Sequence, residues 1–123
     1  IHDVTVDGLA GCTYRDNTTG QMHVQEEDVR FAGEVDRIYT TSDAISVVDP
    51  GWQRTLRITR TNSDSAIVWN PWSERASELA DFGDEEWRTM VCVEGANVRE
   101  AAVTVAPGET HTMGYRIDVL PHS

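Results

Sequence analysis

Ile45-Ser46-Val47 and Leu56-Arg57-Ile58, separated by the turn signal Asp49-Pro50-Gly51, decide the fold class. Apolar and polar residues alternate in both at period two, which places every second side chain on one face of an extended chain. The same alternation occurs at Val4-Thr5-Val6 near one end and Val103-Thr104-Val105 near the other. Further turn signals fall at Asp7-Gly8, Asp16-Asn17, Thr61-Asn62-Ser63-Asp64 and Pro107-Gly108. This spacing predicts eight or nine short strands in an all-β antiparallel sandwich. Ala66-Ile67-Val68-Trp69 and Met90-Val91-Cys92-Val93 are apolar on both faces and are expected to be central strands covered above and below. Ser73 to Trp87 departs from the pattern. Ser73 is placed to cap a short helix through Glu74 to Ala80, a helical insertion after Pro71.

The chain has 123 residues, one domain's worth, and 1–123 is read as a single sandwich domain. Asp and Glu number 21 against ten basic residues, for a net charge of -11. That sign repels phosphate backbones and anionic lipid, so neither nucleic acid nor membrane is an expected partner. No apolar run approaches the roughly 20 residues of a bilayer-spanning helix. The basic residues are all Arg, which fits either a high-salt proteome or a compositional bias. Cys12 and Cys92 lie far apart with no metal-ligand spacing, and His2, His23, His111 and His122 show none either, so no metal and no cofactor is expected. Cys92 reads as a small buried hydrophobe in a reduced, cytoplasmic setting. The glycines are spaced for turns and not for a nucleotide phosphate.

Four segments together resemble the hexose-6-phosphate mutarotases (glucose-6-phosphate 1-epimerases) of the aldose 1-epimerase superfamily. They are Gly8-Leu9-Ala10-Gly11-Cys12-Thr13-Tyr14-Arg15-Asp16, Gly33-Glu34-Val35-Asp36-Arg37-Ile38-Tyr39, Val68-Trp69-Asn70-Pro71-Trp72 and Met90-Val91-Cys92-Val93-Glu94. The Ala80-Asp81-Phe82 step and the closing Ala106-Pro107-Gly108-Glu109 turn extend the match over nearly the whole chain. The resemblance implies a galactose mutarotase-like β-sandwich, of which this chain is expected to be the C-terminal portion. It also implies a cofactor-free reaction on a hexose phosphate or other aldose. A base removes the C1 hydroxyl proton, an acid protonates the ring oxygen, and the ring opens and recloses on the other anomeric face.

By the same resemblance Glu94 is the catalytic carboxylate and Asp36 a ligand of the sugar hydroxyls. The family's histidine and the arginines that hold the 6-phosphate fall upstream of Ile1. Glu94, sharing a strand face with Met90 and Cys92, reads on pattern alone as either a strand-end charge turned to solvent or a half-buried carboxylate at the sheet's rim; the resemblance favours the second, where burial would raise its pKa. Asp36 reads alternatively as a solvated edge charge paired with an Arg. Arg37 can reach a phosphate, yet it projects from the strand face opposite Asp36. Trp69 reads as a core residue, Trp72 as either core or pocket lining, and Asn70 as either a sugar ligand or the brace of the turn before Pro71. A sandwich that binds carbohydrate or is purely structural is the alternative to an isomerase. Strand edges left uncovered in a partial sandwich predict a homo-oligomer.

Overall fold

The computed structural model describes residues 1–122. Ten strands form two five-stranded sheets in which every pairing is antiparallel. The first sheet has the order β10 (Gly114–Pro121), β7 (Arg54–Thr61), β6 (Ile45–Asp49), β1 (Thr5–Asp7), β4 (Val29–Arg30). The second has the order β3 (Gln21–Val24), β2 (Thr13–Asp16), β5 (Val35–Thr40), β8 (Ser65–Asn70), β9 (Cys92–Ala96). The expected antiparallel β-sandwich is the observed fold.

The period-two alternation is what closes the two sheets on one another. Val6, Ile45, Val47 and Ile58 of the first sheet meet Val35, Tyr39, Ala66 and Val68 of the second, and all are buried. Leu9 and Phe31 from the connections plug the ends of this layer. Gly8 makes the turn after β1 possible. Its φ is +97°, and a Cβ there would lie 2.6 Å from the Ala44 carbonyl oxygen, so no other residue fits without moving backbone.

Three expectations about strands are corrected. Val103-Thr104-Val105 alternates but forms no strand, and both valines are exposed. The segment joins β9, at the edge of one sheet, to β10, at the edge of the other, so it crosses the flank where no sheet lies beneath it. Met90 to Val93 is not a central strand, because β9 starts at Cys92 and is an edge, while Met90 and Val91 line a cleft beside Ile1 and Val4. β8 is interior to its sheet, but its burial is one-sided past Ser65: Ala66, Val68 and Asn70 are buried while Ile67 and Trp69 are half-buried. Trp69 therefore lies half-buried on the outer face, edge-on to Phe82 at 6.2 Å, and not in the core.

The helix α1 spans Trp72–Glu78 and is followed by a 3-10 turn at Glu86–Thr89. Ser73 does not cap it. The Asn70 side chain takes that part instead, its Oδ1 accepting the Trp72 N–H at 2.9 Å. Trp72 has φ of +61°, a region that bulky side chains rarely enter. The indole is held there against Trp87 at 4.5 Å and the His2 ring at 5.2 Å.

Candidate functional site

The outer face of the second sheet collects the polar residues that the core excludes. Strand register fixes which side chains share it. Arg15 pairs with Ile38, Ile38 with Ile67, and Ile67 with Glu94, which makes one row across four strands. Asp36, Trp69 and Cys92 form the adjacent row. With strands about 4.8 Å apart and about 3.4 Å per residue, the Asp36 and Glu94 Cα atoms lie about 12 Å apart. Trp69 stands between the two carboxylates.

Asp36 is half-buried and accepts a hydrogen bond from Asn17 Nδ2 at 3.0 Å, which leaves its second oxygen open to a ligand. Glu34 is two residues before it. Burial, and then the Asp36 charge, push the Glu34 carboxyl above the usual range. Glu94 is exposed in the middle of the edge strand. The expected half-burial is thus corrected: β9 has no further strand on its outer side among the described residues, only the Tyr115 side chain, whose hydroxyl donates to the Val93 carbonyl, and Glu94 stays exposed. Cys92 is half-buried beside it, its thiol pushed up by burial and then by the Glu94 charge.

The other sequence candidates lie elsewhere. Arg37 faces inward, opposite Val68, as its alternation with Asp36 predicts. Its Nη1 donates to Gln25 Oε1 at 3.2 Å and to the Tyr39 hydroxyl at 3.3 Å, and its guanidinium covers the Tyr14 ring at 4.7 Å. Arg37 is therefore bound to the protein and not turned to the Asp36 face. Asn70 is fully buried, and its Nδ2 donates to the carbonyls of Trp87 and Met90, each at 2.9 Å. With Oδ1 taken by Trp72, its amide braces the turn, and no edge of it is open to a sugar. Trp72 packs on the core at the sheet's end, away from the two rows that hold Asp36 and Glu94. Sequence reasoning overlooked Arg15 and Glu34. For Glu34 the signal was parity, since it shares a face with Asp36; Arg15 enters the Glu94 row only through the strand register.

This face can bind a polyol through carboxylates, support an apolar ring face on indole, and move a proton at an exposed carboxylate. The family model for aldose 1-epimerase matches residues 1–118. The chain belongs to the aldose 1-epimerase family. A protein of Cenchrus ciliaris named "Putative glucose-6-phosphate 1-epimerase" is 34% identical over the full length of this chain, which covers 38% of that protein. A protein of the same name from Haemophilus influenzae is 27% identical over 80% of this chain and 35% of its own length. The family chain described here thus spans between one third and two fifths of these relatives. The crystal structure of HI1317 superposes with a TM-score of 0.77 over 96% of this chain and 41% of that one, at 18% identity. That of a "putative mutarotase (YeaD)" from Salmonella typhimurium gives 0.71 over 76% of this chain and 32% of that one, at 25% identity.

Proposed function

We propose that this chain supplies one carboxylate wall of a hexose-6-phosphate 1-epimerase site, with Glu94 as base and Asp36 as sugar-hydroxyl ligand. The observation that carries the reading is the register placing both carboxylates, with Trp69 between them, on one face of the second sheet. In the ring-opening direction Glu94 takes the proton from the C1 hydroxyl as the C1 carbonyl forms. The C1–O5 bond breaks, and an acid delivers a proton to O5. After rotation about C1–C2 the aldehyde face is exchanged, and the same two groups reverse their roles. An exposed carboxylate is a weak base for this, so the reading requires that Glu94 be covered when the site is complete, which raises its affinity for a proton.

The acid is proposed to come from the part of the longer relatives that this chain does not span. Three of the four histidines are committed elsewhere: His2 to Trp72 and Trp87, His23 to the Tyr14 ring, and His122 to Thr55. Arg15, on the Glu94 face and without an ion pair among the described residues, is a cation available to a phosphate. A cytoplasmic setting, with Cys12 and Cys92 kept as thiols, completes the proposal.

The test is exchange spectroscopy or polarimetry on glucose-6-phosphate anomers. It compares this chain with a protein extended upstream to the length of its relatives. The extended protein is expected to accelerate anomerisation, and Glu94→Gln to remove on the order of 10² to 10⁴ of that rate. The short chain is expected to show little or none. Full activity of the extended Glu94→Gln protein removes Glu94 from the mechanism. An inactive extended protein that still binds the sugar phosphate supports a binding module instead.

A further inference from the structure

The longest uncovered strand edge among the described residues is β10. Its eight residues pair on one side with β7 from Gly114↔Thr61 to Pro121↔Arg54, and the other side has no partner strand among the described residues. The remaining edges are shorter: two residues in β4, four in β3 and five in β9. Tyr115, Ile117 and Val119 share the sandwich-facing side of β10, because they pair with Arg60, Ile58 and Leu56. Tyr115 reaches across to β9, its hydroxyl donating to the Val93 carbonyl at 2.6 Å, but Ile117 is 54% and Val119 61% exposed, since the second sheet ends at β9 and this part of β10 overhangs it. An edge with free N–H and C=O groups and an apolar stripe is a template for another strand.

The sequence of this edge is self-complementary. Pro121 has no N–H to donate, so the pairing stretch is Gly114 to Leu120, and its midpoint is Ile117. Arg116 and Asp118 flank that midpoint with opposite charge. They now pair with each other along the strand, Arg116 Nε to Asp118 Oδ1 at 3.0 Å, in an exposed position.

We propose that β10 is a dimerisation edge whose occupant is β10 of a second copy, paired antiparallel about a two-fold axis through Ile117. In that register Ile117 faces Ile117 of the partner, Tyr115 faces Val119, and Arg116 faces Asp118 twice over. The apolar stripe is continuous on one face, and two opposite-charge pairs lie on the other. A two-fold contact is isologous, so each copy uses the same patch and the assembly closes at two. The two five-stranded sheets join into one. Charge order supplies the specificity: a parallel or shifted pairing sets Arg116 against Arg116, or an apolar residue against a charge.

The experiment is light scattering coupled to size-exclusion chromatography on the whole chain, over a wide concentration range, with three variants. The parent is expected to dimerise. Asp118→Arg, which sets Arg against Arg across the axis, is expected to weaken the dimer at least tenfold, and Arg116→Asp/Asp118→Arg to restore it. Ile117→Cys is expected to form a disulfide-linked dimer under mild oxidation, because only the residue on the axis meets itself, whereas Tyr115→Cys is not. The parent carries Cys12 and Cys92 through the same oxidation as the control. A monomer at every concentration overturns the proposal. So does a dimer indifferent to Asp118→Arg, or one in which Tyr115→Cys cross-links and Ile117→Cys does not.

Discussion

Asp36 and Glu94 lie on the same face of one sheet two strands apart, while Arg37, next to Asp36 in the chain, points to the other face. Separating their roles needs no ligand-bound structure. In the extended protein, Asp36→Asn keeps the Asn17 contact sterically but removes a charged acceptor, which is worth about 1.5–3 kcal/mol to a hydroxyl donor. KM is expected to rise about tenfold or more with kcat changed less. Arg37→Ala is expected to leave KM unchanged and to lower stability by about 1–2 kcal/mol through the loss of its Gln25, Tyr39 and Tyr14 contacts. Steady-state kinetics and urea midpoints on both variants check this, and the reverse assignment of effects would place Arg37, not Asp36, at the sugar.

Asn70 tests whether the segment after β8 is a structural or a sugar-binding element. Its amide joins the Trp87 and Met90 carbonyls to the Trp72 N–H, with Asn70 itself fully buried and the Met90 and Trp72 contacts partly so. Asn70→Ala strands those groups and leaves a small void, an expected loss of about 3 kcal/mol. Asn70→Asp is expected to be at least as costly, because a carboxylate oxygen then faces two carbonyl oxygens. Denaturant melts with tryptophan fluorescence read both, since Trp72 and Trp87 pack on this turn. A stable variant with weakened sugar binding would contradict the bracing role.

The sandwich was legible because its cause is local: Ile45-Ser46-Val47 and Leu56-Arg57-Ile58 alternate, and each segment became a strand with its apolar side inward. Val103-Thr104-Val105 has the same pattern and failed, because alternation makes a strand only where a neighbouring edge and a covering layer exist. Asp36 and Arg37 facing opposite ways followed from strand parity alone. The exposure of Glu94 did not, since it depends on β9 being the last strand of its sheet, a fact of topology that no local window contains. Arg15 was missed for the same reason, for its row becomes apparent only when β2, β5, β8 and β9 are put in register.

Arg60 is a polar clamp that no pattern in the sequence marks. On the inward side of β7, its Nη1 donates to the carbonyls of Thr41, Ser63 and Ser65 and to the Ser63 hydroxyl, and its Nη2 donates to the Asp43 carbonyl. Burial pulls its pKa below the ordinary value, yet the group has enough partners to stay charged. Arg60→Met removes the fork and leaves several carbonyls without donors, an expected cost of about 3 kcal/mol. Arg60→Lys is expected to recover only part, because a point charge with three donors cannot span acceptors on two connections and the start of β8. Thermal unfolding of the two variants ranks them, and equal stability of both with the parent would show that the clamp contributes nothing.

Tyr39 is expected to set the alkaline limit of stability. Its ring is fully buried in the core, its hydroxyl donates to Gln25 Oε1 at 2.8 Å, and burial pushes the phenol up to about 12 despite the adjacent Arg37. An unfolded phenol ionises at about 10, so the folded chain holds this proton the more tightly. The stabilisation is therefore complete below about pH 10 and is lost as the pH rises through about 12. The difference between the folded and unfolded phenol corresponds to about 3 kcal/mol. Tyr39→Phe is expected to lose about 1 kcal/mol near neutrality, where the Gln25 bond is forfeited. The same variant is expected to show a flatter decline above about pH 10, because no phenol remains to ionise in the core. Denaturant titrations of both proteins across this range decide it. A parent decline no steeper than that of Tyr39→Phe would assign the alkaline limit to another group, and Tyr115, also pushed up by burial, would be the next to substitute.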